Sequence, residues 1–253
     1  MYSVFIIGLA GSGKSMLTAI LHEWLKSKGQ NVMTLNLDPG VTTTPYNPDF
    51  DIRDFVDLKA LMSEYRLGPN GALIMAADLA SEYIEEIRQN IEIDFPDLLL
   101  VDTPGQIELF AFRESGPFIT RSLAEGEKAV VYLLDSTFCT SPLNYVSNIF
   151  IAAAVYNRLL LPQVYALSKS DLVDEEKLSR MITWAISPED LEADLEDISS
   201  ASSTLIIRQL ANSIFETGLI SEPIPVSSKN EEGLIELHGN LTRILSHGEE
   251  VTT

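Results

Sequence analysis

Gly8-Leu9-Ala10-Gly11-Ser12-Gly13-Lys14-Ser15 sets glycines, a lysine and a hydroxyl in the spacing G-x-x-x-x-G-K-[ST]. Glycines at that spacing let successive backbone N–H groups face one concavity, which suits a polyphosphate. A helix starting at Lys14 aims the positive end of its dipole at the same place. On this reading Gly11, Ser12 and Gly13 supply amides, Lys14 neutralises β- and γ-phosphates, and Ser15 ligates Mg²⁺. The apolar run Val4–Ile7 before the loop and the helix-like Met16–Trp24 after it give the strand–loop–helix setting that the pattern needs.

Carboxylates follow at the ends of two later apolar runs. Asp38 closes Leu37-Asp38-Pro39-Gly40, where it can ligate Mg²⁺, activate water, or simply make an Asp-Pro turn. Leu98–Val101 ends in Asp102-Thr103-Pro104-Gly105-Gln106. There Asp102 can organise Mg²⁺, the Gly105 N–H can approach a γ-phosphate, and Gln106 can orient an attacking water. The run Gln163–Leu167 ends in Ser168-Lys169-Ser170-Asp171, which resembles the N-K-x-D base-reading motif with Ser in place of Asn. Asp171 would accept from the ring N–H and amine of guanine, a donor pair that adenine lacks. Lys169 would pack along the base, and Ser227-Ser228-Lys229 would support it from the other side.

These residues need a scaffold, and the intervening sequence supplies one. Strands are predicted at Val4–Gly8, Val32–Leu37, Leu98–Asp102, Ala129–Asp135, Gln163–Ser168 and Ile224–Ser227. Several are apolar throughout, as in strands covered on both faces. Helices are predicted at Lys14–Lys28, Leu58–Tyr65, Ala72–Asn90, Pro142–Leu160, Glu175–Trp184, Leu205–Glu216 and Glu232–Leu245. The alternation predicts an α/β P-loop fold: a mostly parallel, buried sheet with helices on both faces and extra helices in the C-terminal half. A single domain over 1–253 is expected, with a helical insertion at approximately 171–217. Asp38–Arg53, with Pro39, Pro45 and Pro48, reads as a long loop beside the phosphates. The acidic Asp171–Asp197 stretch reads as a pair of solvated helices.

A net charge of −20 argues against nucleic acid and against an anionic membrane surface. The single cysteine, Cys139, forms no intrachain disulfide and reads as a small core residue. His22, His238 and His247 lack metal-ligand spacing and read as surface or helix-end residues. No apolar run reaches transmembrane length, and a cytoplasmic protein is expected.

One more element changes the reading of the whole. Gly68-Pro69-Asn70, followed by Gly71, would alone be a tight turn. Here it falls between the phosphate loop and Asp102–Gln106, and it precedes an amphipathic helix. With Gly8–Ser15, Asp38-Pro39, Asp102–Gln106 with Glu108, Lys169 to Asp171, and Ser227–Lys229, the chain resembles the GPN-loop GTPases from Val4 to about Leu245. Without a long tail, it is similar to their compact, archaeal-type members.

The resemblance implies GTP and GDP as ligands, Mg²⁺ as cofactor, and a homodimer with its nucleotide sites near the interface. It implies that Asn70 of one subunit reaches the γ-phosphate or attacking water of the other. Asp38, Asp102 and Gln106 are left as candidates for handling the water, and Ser15, Asp38 and Asp102 for holding the metal. The family's association with assembly of multi-subunit complexes implies a protein client, RNA polymerase being one. Three other readings stay open. One is a dimeric P-loop ATPase, disfavoured because Leu9 and Ala10 stand where a signature lysine is usual. The second is a P-loop kinase for a small substrate, in which Asp171 and Ser227–Lys229 would have no evident job. The third is a nucleotide-gated assembly chaperone with little turnover of its own. No arginine finger is evident; Arg53 reads first as an ion-pair residue.

Overall fold

Apolar strands that need cover on both faces end up side by side, all parallel, in one seven-stranded sheet. The computed structural model describes residues 1–196, 201–219 and 221–246. The strands are β1 (Tyr2–Gly8), β2 (Val32–Asn36), β3 (Phe50–Asp51), β4 (Leu98–Asp102), β5 (Lys128–Asp135), β6 (Gln163–Ser168) and β7 (Ile224–Val226). Their order is β3-β2-β4-β1-β5-β6-β7. The helices are α1 (Lys14–Ser27), α2 (Leu58–Glu64), α3 (Pro69–Asp94), α4 (Ile107–Phe110), α5 (Ser115–Ser122), α6 (Pro142–Leu159), α7 (Glu175–Ile186), α8 (Pro188–Glu196), α9 (Ala201–Glu216) and α10 (Leu234–Leu245).

Side-chain alternation along β1 builds two cores. Val4 and Ile6 face Leu17, Leu21 and Leu25 of α1 and Leu237 and Leu241 of α10. Phe5 and Ile7 face the other layer, with Ile84 and Ile87 of α3 and Tyr145 and Ile149 of α6. The parallel sheet with helices on both faces is thus as the sequence predicts.

Four local differences have physical causes. Gly68-Pro69-Asn70 does not precede a helix as a turn; it is the helix entry. Gly68 caps α3 in an extended conformation and Pro69 takes its first position, where a missing N–H costs nothing. The helix consequently starts at Pro69 rather than Ala72, and its 26 residues span roughly 39 Å. β3 is a two-residue edge strand inside the Asp38–Arg53 loop. α4 and α5 occupy a stretch between Asp102–Gln106 and Ala129–Asp135 in which no element is predicted. Finally, the acidic stretch is a helix pair that is only partly solvated: Met181, Trp184, Leu191 and Leu195 are buried. Trp184 Nε1 donates to Asp194 at 2.7 Å, and Arg180 pairs with the same carboxylate at 2.6 Å. α8 and α9 pack on α6.

Candidate nucleotide site

β1 lies between β4 and β5, while the chain leaves it for β2, beyond β4. Strand order reverses there, which opens a crevice at the carboxyl ends of the strands. Gly8–Ser15, Asp38, Asp102–Gln106 and Ser168–Asp171 follow strands β1, β2, β4 and β6 along that edge. Gly11 (φ 77°) and Gly13 (φ 95°) take left-handed conformations that bend the loop after β1 back over α1. Lys14 is buried, and its Nζ donates to the carbonyls of Gly8 and Leu9, both at 3.1 Å. Burial lowers its pKa, against the pull of Asp102 and Asp38. A cleft of about 450 Å³ opens here. Its walls are Gly11, Gly13, Lys14 and Ser15 on one side, Asp38 and Thr43–Pro45 on another, and Thr103 and Gly105 on the third. A larger groove of about 770 Å³ runs beside Asp78, Phe112, Arg113 and Phe118, away from every strand end. Arg113 in that groove is already paired with Asp78 through two hydrogen bonds, so the chemistry points to the smaller cleft.

Asp102, at the end of β4 and next to the cleft-lining Thr103, is buried behind the cleft wall, 1% exposed. Burial pushes its pKa up to about 6, against the hydrogen bond from Tyr46, the neighbouring Ser15 hydroxyl, which falls short of hydrogen-bond geometry, and the charge of Lys14. Tyr46 Oη donates to Oδ2 at 3.1 Å. Oδ1 has less than 1 Å² of accessible surface and no partner that meets hydrogen-bond geometry. A buried, unpartnered carboxylate oxygen beside the Ser15 hydroxyl fits a hard, oxygen-ligated cation such as Mg²⁺. No group of three His, Cys, Asp or Glu residues able to hold a metal occurs among the described residues. A cation here would therefore rely on phosphate oxygens and water for its other ligands, as Mg²⁺ at phosphates usually does.

Asp38 spans two loops. Its Oδ1 accepts from Gly40 N at 2.9 Å, and its Oδ2 from Gly105 N at 3.0 Å. The amide assigned to a γ-phosphate is thus held by a carboxylate. Thr103 Oγ1 ties the same segment to β1 through the Ile6 carbonyl at 2.7 Å. Gln106 caps α4 and is exposed. Asn70 is exposed on the first turn of α3 and does not line the cleft. Leu73, one turn further along α3, sits against Gly40. Arg53 makes the expected ion pair, with its Nη2 2.5 Å from Asp51.

Beyond β5 the base-side residues gather. Ser168 Oγ donates to the Ser12 carbonyl at 2.7 Å, so the hydroxyl that replaces Asn still ties this loop to the phosphate loop. Lys169 sits in a left-handed conformation (φ 58°), with its Nζ 2.6 Å from Asp135 Oδ2. Burial opposes ionisation of Asp135, but bonds from Lys169 and Thr137 prevail and lower its pKa. Ser227 Oγ donates to Asp171 Oδ1 at 2.8 Å. Ser228 is half-buried and Lys229 exposed.

A family model described as "Conserved hypothetical ATP binding protein" matches residues 6–247. A GTPase in apo form from Pyrococcus abyssi has a TM-score of 0.86 with this chain at 31% identity, over 96% of this chain and 97% of that one. GPN-loop GTPase QQT2 of Arabidopsis thaliana is 35% identical over 83% of this chain and 55% of the relative. The chain belongs to the GPN-loop GTPase family. GPN-loop GTPase 3 of Eremothecium gossypii is 28% identical over 98% of this chain and 91% of its own. The chain spans about half the length of the plant and fission-yeast relatives that it matches.

In this GPN-loop GTPase family member, two residues at the site escape a motif reading: Tyr46 reaches Asp102, and Asp135 holds Lys169. Within Ser227-Ser228-Lys229 it is Ser227 that bonds Asp171. Of the two missed residues, Tyr46 carries a signal, as the one aromatic side chain between Pro45 and Pro48 in the loop beside the phosphates.

Proposed function

We propose that this protein is a Mg²⁺-dependent GTP hydrolase, GTP + H₂O → GDP + phosphate, acting as a homodimeric, nucleotide-controlled switch. One observation carries the reading. Lys14, Ser15 and the unpartnered oxygen of Asp102 meet at the carboxyl ends of the central strands β1 and β4, and Asp171, oriented by Ser227, stands two strands away after β6. Phosphoryl transfer asks mainly for positioning and charge neutralisation. Lys14 exchanges the carbonyls of Gly8 and Leu9 for β- and γ-phosphate oxygens. The Gly105 N–H exchanges Asp38 for the γ-phosphate. Asp38, freed on one oxygen, and Gln106 then place the attacking water. Ser15 and Asp102, with Asp38 nearby, would hold Mg²⁺, which would neutralise phosphate charge when bound. Gly11, Ser12 and Gly13 direct amides at the phosphates, Asp171 reads guanine, and Lys169, Ser228 and Lys229 flank the base.

The trans role of Asn70 finds support in its exposure and in its position off its own cleft. Asn70→Ala is expected to slow turnover while sparing GDP binding; unchanged turnover rejects the trans contact. The output of the switch is binding or release of a protein client in the assembly of a multi-subunit complex, RNA polymerase being one candidate. We place the protein in the cytoplasm, without a nucleic-acid or membrane partner of its own.

The test is phosphate release from Mg²⁺-GTP against Mg²⁺-ATP at matched concentration. GTP-selective turnover supports the reading. Equal or ATP-favoured turnover rejects Asp171 as base reader and favours an ATPase. GTP-selective binding with turnover that rises only when a client is added favours a gated assembly chaperone.

A further inference from the structure

The loop after β2 crosses the phosphate cleft as a strap pinned at several points. At its start, Asn36 Oδ1 accepts from the Asp38 N–H at 3.0 Å. Near its middle, the Arg53 guanidinium donates to the carbonyls of Val41 and Thr42 at 3.1 and 3.2 Å. At its end, Asp49 Oδ2 accepts from the N–H and hydroxyl of Thr34 at 2.8 and 2.9 Å. Between the pins, Thr44 Oγ1 donates to the Tyr46 carbonyl at 2.7 Å, which fixes the turn that turns the phenol inward. The phenol donates to Asp102 Oδ2 at 3.1 Å. Thr44 and Pro45 line the cleft, but Tyr46 does not.

We infer that Tyr46 is a positioning residue for the divalent cation: its hydroxyl holds Oδ2 of Asp102 so that Oδ1 is presented to the metal. The inference rests on the Mg²⁺-nucleotide reading above. The two oxygens of Asp102 have opposite circumstances, one bonded by Tyr46 and one buried without a partner. A carboxylate that turned about its Cβ–Cγ bond would trade these oxygens. The hydroxyl removes that freedom, because a strap pinned on both sides cannot follow the rotation. Partners that orient a metal ligand in this way set metal affinity without touching the metal, and their loss typically costs 10–100-fold. Tyr46 does not itself line the cleft, so loss of its hydroxyl should act through Asp102 on the metal and not directly on the nucleotide.

Tyr46→Phe keeps the ring and the strap and removes only the hydroxyl. The measurement is the equilibrium affinity for fluorescent GDP in saturating Mg²⁺ and in EDTA, with Mn²⁺ binding to the GDP complex followed by electron paramagnetic resonance. The metal-dependent gain in GDP affinity and the Mn²⁺ affinity should both fall, by about 10-fold or more. Affinity in EDTA should stay within about twofold, and urea unfolding in EDTA should remain a single cooperative transition, moved to lower urea by the lost hydrogen bond to the buried Asp102 carboxylate. An unchanged metal gain overturns the inference. So does an equal loss with and without metal, which marks Tyr46 as a pin of the strap only. Tyr46→Ala, which also removes the ring, should weaken binding in both conditions; if it spares both, the strap itself is irrelevant and the inference falls. If the wild type shows no metal-dependent gain, the proposed function fails first, and the inference falls with it.

Discussion

Replacing Asp102 by Asn should stabilise the nucleotide-free protein at neutral pH. The carboxylate is 1% exposed, and burial raises its pKa from 3.8 to about 6. The sign follows from linkage: a raised native pKa means that the folded state binds the proton more tightly than the unfolded chain. The stabilising contribution is full below the unfolded pKa near 4 and is lost as pH rises through about 6. With those two pKa values, the fold loses about 1.4 kcal/mol between pH 5 and pH 8 through this one group. Asn has nearly the same shape and no charge, so the variant lacks this loss. Urea unfolding of both proteins in EDTA, at pH 5, 6, 7 and 8, isolates the effect as a difference, since the other titrating groups are common to both. The variant should gain steadily on the wild type by about 1.4 kcal/mol over the series. A flat difference, or a wild type that gains as pH rises, would refute the claim that Asp102 is held in its site at a cost. The same variant should lose the metal-dependent part of nucleotide affinity.

Other substitutions separate the remaining parts of the site. Asp171→Asn presents an amide to the donors of guanine, so GTP affinity should fall on the order of 100-fold or more while ATP affinity stays unchanged, measured by competition against a fluorescent nucleotide. Ser168→Ala leaves the Ser12 carbonyl without its 2.7 Å donor and should cost about 1–2 kcal/mol in urea unfolding; no measurable loss would show that the tie between the two loops is idle. Gly116→Ala drives a Cβ into the Phe110 carbonyl at the α4–α5 junction, and the midpoint of thermal unfolding should fall by several degrees, in line with a cost of about 2 kcal/mol or more.

The residues that sequence alone exposes are those whose chemistry is written in consecutive positions. Gly8–Ser15, Asp102–Gln106 and Ser168–Asp171 each sit at the end of a buried strand, and the parallel order brings those ends to one edge. Tyr46 is different, and so is the bond that Ser227 makes, although Ser227 itself lies in a legible motif. Each meets its carboxylate across 56 residues, and that meeting depends on how a strap folds or where a short edge strand ends. β7 stops at Val226, which leaves Ser227 to turn its hydroxyl to Asp171 while Lys229 stays exposed. The helix entry at Gly68-Pro69 was legible in principle, since proline is favoured at a first helical position. The turn-like composition of Gly68–Gly71 hides it. α5 is hidden in the same way by Gly116-Pro117, although a first-turn proline removes only an N–H that has no helical partner. His247 lies outside the described residues. His22 and His238 are half-buried rather than surface groups, with His238 packed edge-on against Trp24 at 5.6 Å.

The bonds already made within the site bear on how a γ-phosphate can act as a signal. Lys14 is bonded to Gly8 and Leu9, and the Gly105 N–H to Asp38. A ligand therefore exchanges bonds here instead of adding them, and each exchange contributes only the difference between two partners. The exchange at Lys14 is open to any nucleotide that carries a β-phosphate. The exchange at Gly105 differs, because on the proposed reading only a γ-phosphate reaches that amide. It releases one oxygen of Asp38, whose other oxygen still holds Gly40 at 2.9 Å and with it the start of the strap. Gly40 in turn lies against Leu73 on the first face of α3, the helix that Gly68-Pro69-Asn70 begins. A ligand shifts an equilibrium only by its differential contacts with the two states, and this bond is one that GTP makes and GDP lacks. Asp38→Asn tests the link, since an amide oxygen at that position binds the Gly105 N–H more weakly than a carboxylate does. The preference for a non-hydrolysable GTP analogue over GDP should rise by about 5-fold or more in the variant, because the competitor for Gly105 has been weakened. An unchanged preference would mean that the Asp38–Gly105 bond is not what the γ-phosphate displaces.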